Sequence, residues 1–322
     1  MQIYRLGSDI SQMPKLKNTA VALGRFDAVH RGHMRIIGEA VSYAKKNNLK
    51  SVVFMFENDP SEIISGKAVP EINTQKQREK IMEELGVDIV VVKTFDREIM
   101  ELDCKTFIRV YLVELFGAVF ASAGFNYRFG MGGAGDVDVL RDICASYGIS
   151  VSVVDEVSDG GTISSTRIRK LISDGDMETA KRLLGRYFKI SGVVMHGNRL
   201  GGKIIGFPTA NIEIPKNAVV PKFGVYVSVA HIMGNTYSAI TNVGSRPTVN
   251  ELRCCIETHI DGYFGELYGE TIDVEFCGYI REIKKFDSTD ALARQLTADR
   301  ELSRKYFENN YNKKAETPDG KV

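Results

Sequence analysis

Short apolar runs separated by helical repeats dominate the first half of this 322-residue chain. Residues 20–23 (AVAL), 52–56 (VVFMF), 89–92 (IVVV), 118–121 (AVFA) and 151–154 (VSVV) lack the strict alternation of a half-exposed strand. Runs of that length predict parallel strands covered on both faces. Between the first two, Ile36, Ile37, Ala40, Val41 and Ala44 share one face at helical spacing. Further helical patterns fall at roughly 74–85, 105–116 and 137–147. Strand–helix alternation predicts a doubly wound α/β domain, Rossmann-like, whose ligands bind beyond the carboxyl ends of its parallel strands.

Two more helical patterns, near 165–174 and 176–184, precede a change of period. From about Tyr187 the chain alternates: Val225, Val227 and Val229 share a face, as do Ile272, Val274 and Phe276. Turn-forming Gly, Asn and Pro separate these segments, which predicts antiparallel strands in a small β-barrel or sandwich. A terminal helix begins near Asp287 or Ser288, either a fitting N-cap, and carries Leu292 and Leu296 to about Phe307. The polar end of the chain, ENNYNKKAETPDGKV, predicts fraying. The period change places a boundary close to residue 185, giving domains at 1–185 and 186–308 and a polar tail at 309–322. No internal repeat relates the two halves.

Composition narrows the partners. Hydrophobic content of 43% and charged content of 26% belong to an ordinary soluble globular protein long enough for two cores. A net charge of +1 without a long basic run argues against nucleic acid and against an anionic membrane surface. The longest apolar segments, such as IVVVKTF at 89–95, are too short to cross a bilayer, and MQIYRLGSDI lacks a signal peptide's features. Cysteines 104, 144, 254, 255 and 277 are odd in number and show no CxxC spacing, so reduced thiols in a cytoplasmic protein are expected.

The candidate chemistry of the first half sits where the first strand runs into the first helix. His30 and His33 stand three apart around Gly32, flanked by Arg31 and Arg35, with no third metal ligand nearby in sequence. A strand, a loop and a helix N-terminus offer backbone N–H groups and a positive dipole end to an anion. Gly32 permits close approach, and imidazoles donate hydrogen bonds to phosphoryl oxygens. By itself HxGH is short enough to arise by chance. A second cluster, ISSTRIRK at 163–170, gathers Ser164, Ser165, Thr166, Arg167 and Arg169 at a helix start. Taken alone it reads as a Ser/Thr N-cap with solvated arginines; paired with HxGH it reads as a second phosphate clamp.

GRFDAVHRGH (24–33) with ISSTRIR (163–169) resembles the nucleotidylyltransferase domain of the bacterial bifunctional riboflavin kinase/FMN adenylyltransferases, or FAD synthetases. The resemblance implies that His30 and His33 contact ATP phosphates while the FMN phosphate attacks the α-phosphorus and pyrophosphate leaves. It places Gly24, Phe26, Asp27, Gly32, Ser164, Ser165, Thr166 and Arg167 around the nucleotide, and Asn126 and Arg128 beside the flavin. Four positions depart from the family pattern. Arg25 stands for Asn or a small residue, Ala28 for Gly, Asp59 for the histidine of an FEPHP-like segment, and Phe125 for an acidic residue.

In the second half, GVVMHGNRLGGKIIGFPTANI (192–212) is glycine-rich but matches neither a Walker loop nor a spaced GxGxxG. Pro208 fixes the backbone, and Thr209 and Asn211 present oxygens two apart on one side of an extended segment, hard ligands suited to Mg2+. In RCCIETHIDGYFGELYGE (253–270), Cys255, Glu257 and His259 share one strand face opposite Ile256, Thr258 and Ile260. Glu257 there is either a solvated strand carboxylate or a general base.

GFPTAN, NVGSRPT (242–248) and ETHIDGYFGELYG resemble the riboflavin kinase module of the same family, so that the likeness spans about residues 18–308. It implies Glu257 as the base for the ribityl 5'-hydroxyl of riboflavin, Thr209 and Asn211 as Mg2+ ligands, and Pro208, Asn242 and Arg246 as site-lining residues. Gly201, Gly202, Lys203 and Gly206 would cover the nucleotide, Lys203 replacing a common arginine.

The expected protein is a monomer or weak homo-oligomer that uses ATP and Mg2+ to convert riboflavin to FMN and ADP, and FMN to FAD and pyrophosphate. The alternatives are a riboflavin kinase with a weak or redirected adenylyltransferase half, and a flavin-binding or flavin-sensing protein without turnover.

Overall fold

A computed structural model describes residues 1–7, 10, 13–195, 207–215, 217–247 and 252–311, with the side chains of 246, 247, 252 and 253 excepted. The chain divides into two compact units, Met1–Arg167 and Ile168–Val322.

The first unit contains strands β1 (Gln2–Leu6), β2 (Thr19–Leu23), β3 (Lys50–Phe56), β4 (Ile89–Lys93), β5 (Ala118–Gly124) and β6 (Ser150–Val154). Helices α1 (Arg31–Lys46), α2 (Pro60–Ser65), α3 (Gln75–Glu84), α4 (Arg97–Met100), α5 (Cys104–Phe107) and α6 (Val137–Ser146) connect them, α5 widening into a π-helical run over Ile108–Leu115. The sheet order is β1-β4-β3-β2-β5-β6, and every pairing is parallel. Alternate residues explain the continuous apolar runs. Val21, Leu23, Val52, Phe54 and Val91 join one core, while Ala20, Ala22, Val53, Met55 and Val90 join another with Ile37 and Ala40 of α1. Both faces of the sheet are therefore covered. The strand that sequence periodicity does not reveal is β1, a short edge strand whose outer residues stay partly exposed. Helix α7 (Ser165–Asp174) runs across the division between the units.

The second unit holds α8 (Met177–Leu184), strands β7 (Phe188–Met195), β8 (Ala210–Glu213), β9 (Gly224–Ile232), β10 (Asn235–Pro247), β11 (Leu252–Ile260) and β12 (Thr271–Arg281), and helix α9 (Thr289–Asn310). The strands close into an antiparallel barrel in the order β10-β11-β8-β7-β12-β9. Ile272, Val274 and Phe276 are buried as their alternation predicts. β9 behaves differently. Val225 and Val229 are buried, but so are Tyr226, Ser228 and Ala230 on the opposite face. Helix α9, capped by the Ser288 hydroxyl, packs against β9 and β10 on the Val229 face, where its Ser303 meets Ser238, while Tyr226 packs on Phe276 on the interior face of the barrel. Buried hydroxyls cross the wall: Ser228 Oγ lies 2.7 Å from Thr241 Oγ1, which lies 3.0 Å from Thr258 Oγ1.

Candidate active sites

In the first unit, the β2–α1 loop is the most constrained backbone. Phe26 and Val29 both adopt positive φ, 48° and 43°, a conformation costly for any side chain and most of all for a β-branched one. Phe26, Ala28 and Val29 are fully buried, so packing holds the strain in place. The Phe26 ring fills the space beside Gly24, where a Cβ would come within 2.8 Å of it. Asp27 turns inward: its Oδ1 accepts from the Ile72 N–H at 3.3 Å, and its carbonyl accepts from Asn73 Nδ2 at 2.7 Å. The resemblance puts Asp27 beside phosphate; its described contacts anchor the loop.

His30 is the N-cap of α1. Its Nδ1 accepts from the His33 N–H at 3.2 Å, which assigns the proton of the neutral ring to Nε2. The two imidazoles stack at 3.7 Å and 15°, and Phe26 meets His33 edge-on at 5.4 Å. A Cβ on residue 32 would lie 3.1 Å from the His30 ring, so Gly32 makes room for the pair.

The Ser164–Arg167 cluster meets the β2–α1 loop through Asp159. Arg31 Nη1 donates to Asp159 Oδ2 at 3.0 Å, while Arg167 Nη1 donates to the carbonyls of Asp159, Gly161 and Thr162 at 3.0, 2.8 and 3.3 Å. The Ser164 hydroxyl accepts the Arg167 N–H at 3.2 Å, as an N-cap does. Two segments more than a hundred residues apart thus meet at Asp159. Arg167 Nη1 makes its described bonds within its own turn, while Thr166 is exposed and Ser164 and Ser165 are partly so.

Around this loop lies a charged ring that motif reading does not supply. Arg25 pairs with Asp59, whose Oδ1 also accepts from the N–H and hydroxyl of Ser61 at 2.9 and 2.7 Å. Arg78, buried, donates to the carbonyls of Phe56 and Glu57, both at 2.9 Å, and fixes the end of β3. Burial pushes the Glu71 carboxyl above its ordinary range; Arg78 opposes that rise, and Asp27 and Glu62 add to it. Only the tertiary fold assembles these groups. Asn126, Phe125 and Arg128 are exposed beyond the carboxyl end of β5, with Arg128 3.6 Å from Asp136.

In the second unit, strand register builds the site. Glu257 on β11 pairs with Asn211 on β8 and with Asn242 on β10. Directly opposed residues of antiparallel strands share a face, so Asn211, Glu257 and Asn242 form one row across three strands. Ile256, Thr258 and Ile260, on the other face, are buried. Thr209 is exposed two residues before Asn211, whose Nδ2 lies 3.5 Å from the Thr209 carbonyl. Gly201, Gly202, Lys203 and Gly206 lie outside the described residues, as does the side chain of Arg246. His259, which the sequence places on the face of Glu257 without a role, contacts Pro208: its Nδ1 is 2.9 Å from the Pro208 carbonyl. Burial pushes its pKa below the ordinary histidine value, and the nearby cations Arg300 and Arg304 act in the same direction. Among the described residues no three His, Cys, Asp or Glu side chains converge as a metal cluster. All five cysteines are free thiols.

The comparisons with known proteins cover both units. A family model described as FAD synthetase matches residues 12–167, and one described as riboflavin kinase matches residues 184–307. The bifunctional riboflavin kinase/FMN adenylyltransferase of Haemophilus influenzae is 37% identical over 298 residues, 91% of this chain and 95% of that protein. Its namesake in Escherichia coli K12 is 34% identical over 310 residues, 95% of this chain and 98% of the relative. The crystal structure of a macrolide-efflux protein from Streptococcus pneumoniae superposes with a TM-score of 0.86 at 31% identity, covering 94% of this chain and 99% of that one. No helix among the described residues is long and apolar enough to cross a membrane.

Proposed function

The chain belongs to the bifunctional riboflavin kinase/FMN adenylyltransferase family, and from that premise we propose which of its residues perform the two reactions. Riboflavin kinase activity belongs to the C-terminal domain and FMN adenylyltransferase activity to the N-terminal one, with ATP as co-substrate of both. We place the functional boundary near residue 185, ahead of β7, and read the enzyme as cytoplasmic and as a monomer or weak homo-oligomer.

The kinase reading rests on one observation above the others: Glu257 stands between Asn211 and Asn242 in register. A carboxylate so flanked by amides is held on the outer face of the barrel wall, where the 5'-hydroxyl of riboflavin can reach it. Glu257 takes the hydroxyl proton as the oxygen attacks the γ-phosphorus and ADP leaves. Thr209 and Asn211 would offer neutral oxygens to a Mg2+ ion beside the nucleotide phosphates. Mg2+, when bound, neutralises charge on the transferring phosphoryl group. Gly201, Gly202, Lys203, Gly206 and Arg246 complete the nucleotide side of this reading.

In the N-terminal domain, the His30 Nε2–H and the His33 ring donate to the phosphates of ATP as the FMN phosphate attacks the α-phosphorus. Ser164, Ser165, Thr166 and Arg167 form the opposite wall, and Asn126 and Arg128 meet the flavin. No covalent enzyme intermediate is needed, because positioning and charge neutralisation suffice for an in-line transfer.

Separation of function tests the assignment. Glu257→Ala should abolish FMN formation from riboflavin yet leave FAD formation from supplied FMN, and His33→Ala should do the reverse. Loss of both reactions in a folded variant would sink the two-site reading.

A further inference from the structure

The β8–β11 ladder runs from the Cys255 and Glu213 pair to the Thr258 and Ala210 pair and stops there. The next residues toward the N-terminus of β8 are Thr209 and Pro208, and proline has no N–H to extend a ladder. His259 continues the connection by side chain. A carbonyl oxygen only accepts, so the Nδ1 that lies 2.9 Å from the Pro208 carbonyl carries the proton. The imidazole also packs on Phe207, with ring centroids 4.8 Å apart. Arg300 of α9 lies over the same Phe207 ring at 5.2 Å. One turn further along α9, Arg304 Nη2 meets Asp261 Oδ1 at 2.8 Å, two residues beyond His259. The segment leading into Thr209 is thus held from β11 by a hydrogen bond and from α9 by a cation over a ring, although it lies outside any strand.

We propose that His259 is a positioning residue of the kinase site: its imidazole holds the Pro208 carbonyl so that Thr209 and Asn211 stand beside Glu257 in the geometry a nucleotide phosphate needs. The proposal rests on the reading of Glu257, Thr209 and Asn211 given above. It assigns His259 no proton transfer, since its tie points along the strand to Pro208 rather than into the row of Asn211, Glu257 and Asn242.

Two substitutions divide the bond from the packing. His259→Phe keeps a ring against Phe207 and removes the donor, whereas His259→Asn places an amide N–H where Nδ1 stood. Steady-state kinetics of riboflavin phosphorylation should show a rise of about threefold to tenfold in KM for ATP in His259→Phe, the range expected for one lost hydrogen bond. KM for riboflavin should stay near wild type, His259→Asn should recover most of the loss, and FAD formation from FMN should be unchanged in both. An unaltered KM for ATP in His259→Phe, equal loss in the two variants, or a matching rise in KM for riboflavin would overturn the proposal. Glu257→Gln run alongside separates the two levels. If that variant still phosphorylates riboflavin at the wild-type rate, the underlying site reading fails rather than the role of His259.

Discussion

Asp59, with its side chain only 7% exposed, receives the guanidinium of Arg25. The two residues stand just beyond the carboxyl ends of the neighbouring strands β3 and β2, on the rim where a parallel sheet binds its ligand. Each departs from the pattern of the resembling family, and the structure shows that the departures meet one another.

The pair predicts coupled mutants. Arg25→Asn takes the cation from a buried carboxylate, at a cost of about 1–3 kcal/mol, while Asp59→His leaves an exposed Arg25 to water and removes the N-cap of α2, so each alone should lower FAD formation and hasten thermal inactivation of that activity. The double variant carries the family residues at both positions and should recover part of both losses. Additive losses in a double-mutant cycle would show that the pair is not an interacting unit.

Gly32→Ala should separate stability from activity. Alanine favours the first turn of α1 by about 0.5–1 kcal/mol over glycine. Its Cβ would nonetheless sit 3.1 Å from the His30 ring and press that ring off its stacked partner. The expected outcome is an unchanged or raised melting temperature with FAD formation slowed on the order of tenfold, as misplaced catalytic groups cost. Riboflavin phosphorylation serves as the control and should not change.

Gly192 lies where β7 crosses β8. A Cβ there would come within 2.4 Å of Ile212 and 2.5 Å of the Glu213 carbonyl, so the two strands cannot keep their spacing. Gly192→Ala should destabilise the barrel by about 1–3 kcal/mol, the range for overpacking. Faster heat inactivation of kinase activity than of FAD formation is the measurement; equal rates would count against a local effect.

Acid should loosen the end of α9. Tyr311 donates to Glu275 Oε2 at 2.6 Å, and His231 Nε2 lies 3.2 Å from Glu275 Oε1. Burial pushes the Glu275 carboxyl up, but the hydrogen bonds from His231 and Tyr311 lower it further, so it titrates below its ordinary value. A carboxyl depressed on folding adds stability above its unfolded pKa and loses it as pH falls through the folded one. Kinase stability followed from about pH 6 down to pH 3 should therefore fall less steeply in Glu275→Gln than in wild type. Parallel curves would refute the linkage.

The sequence disclosed what is local. Strands β2 to β5 were legible because burial on both faces leaves an apolar run, β6 by its valines although it is a partly exposed edge strand, and α7 and α8 because their patterns are amphipathic. β1 was not, since an edge strand as short as QIYRL carries no such run. The double burial of β9 was hidden because α9, which covers it, lies more than fifty residues away. The sites divide in the same manner. His30, His33 and the Ser164–Arg167 cluster are contiguous motifs, whereas the row of Asn211, Glu257 and Asn242 exists only through register. Nor does any local signal announce the positive φ of Phe26 and Val29, which tertiary packing imposes.

The chain of hydroxyls from Ser228 through Thr241 to Thr258 bears on the fidelity of assembly. Side chains alternate along a strand, so a slip of β11 by one residue would turn Thr258 outward and drive Glu257 into the apolar interior. That misassembled barrel would strand the Thr241 hydroxyl and bury an uncompensated carboxylate, a double penalty that the correct alignment avoids. Three buried alcohols thereby disfavour that slip and keep Glu257 on the face of β11 opposite to Thr258.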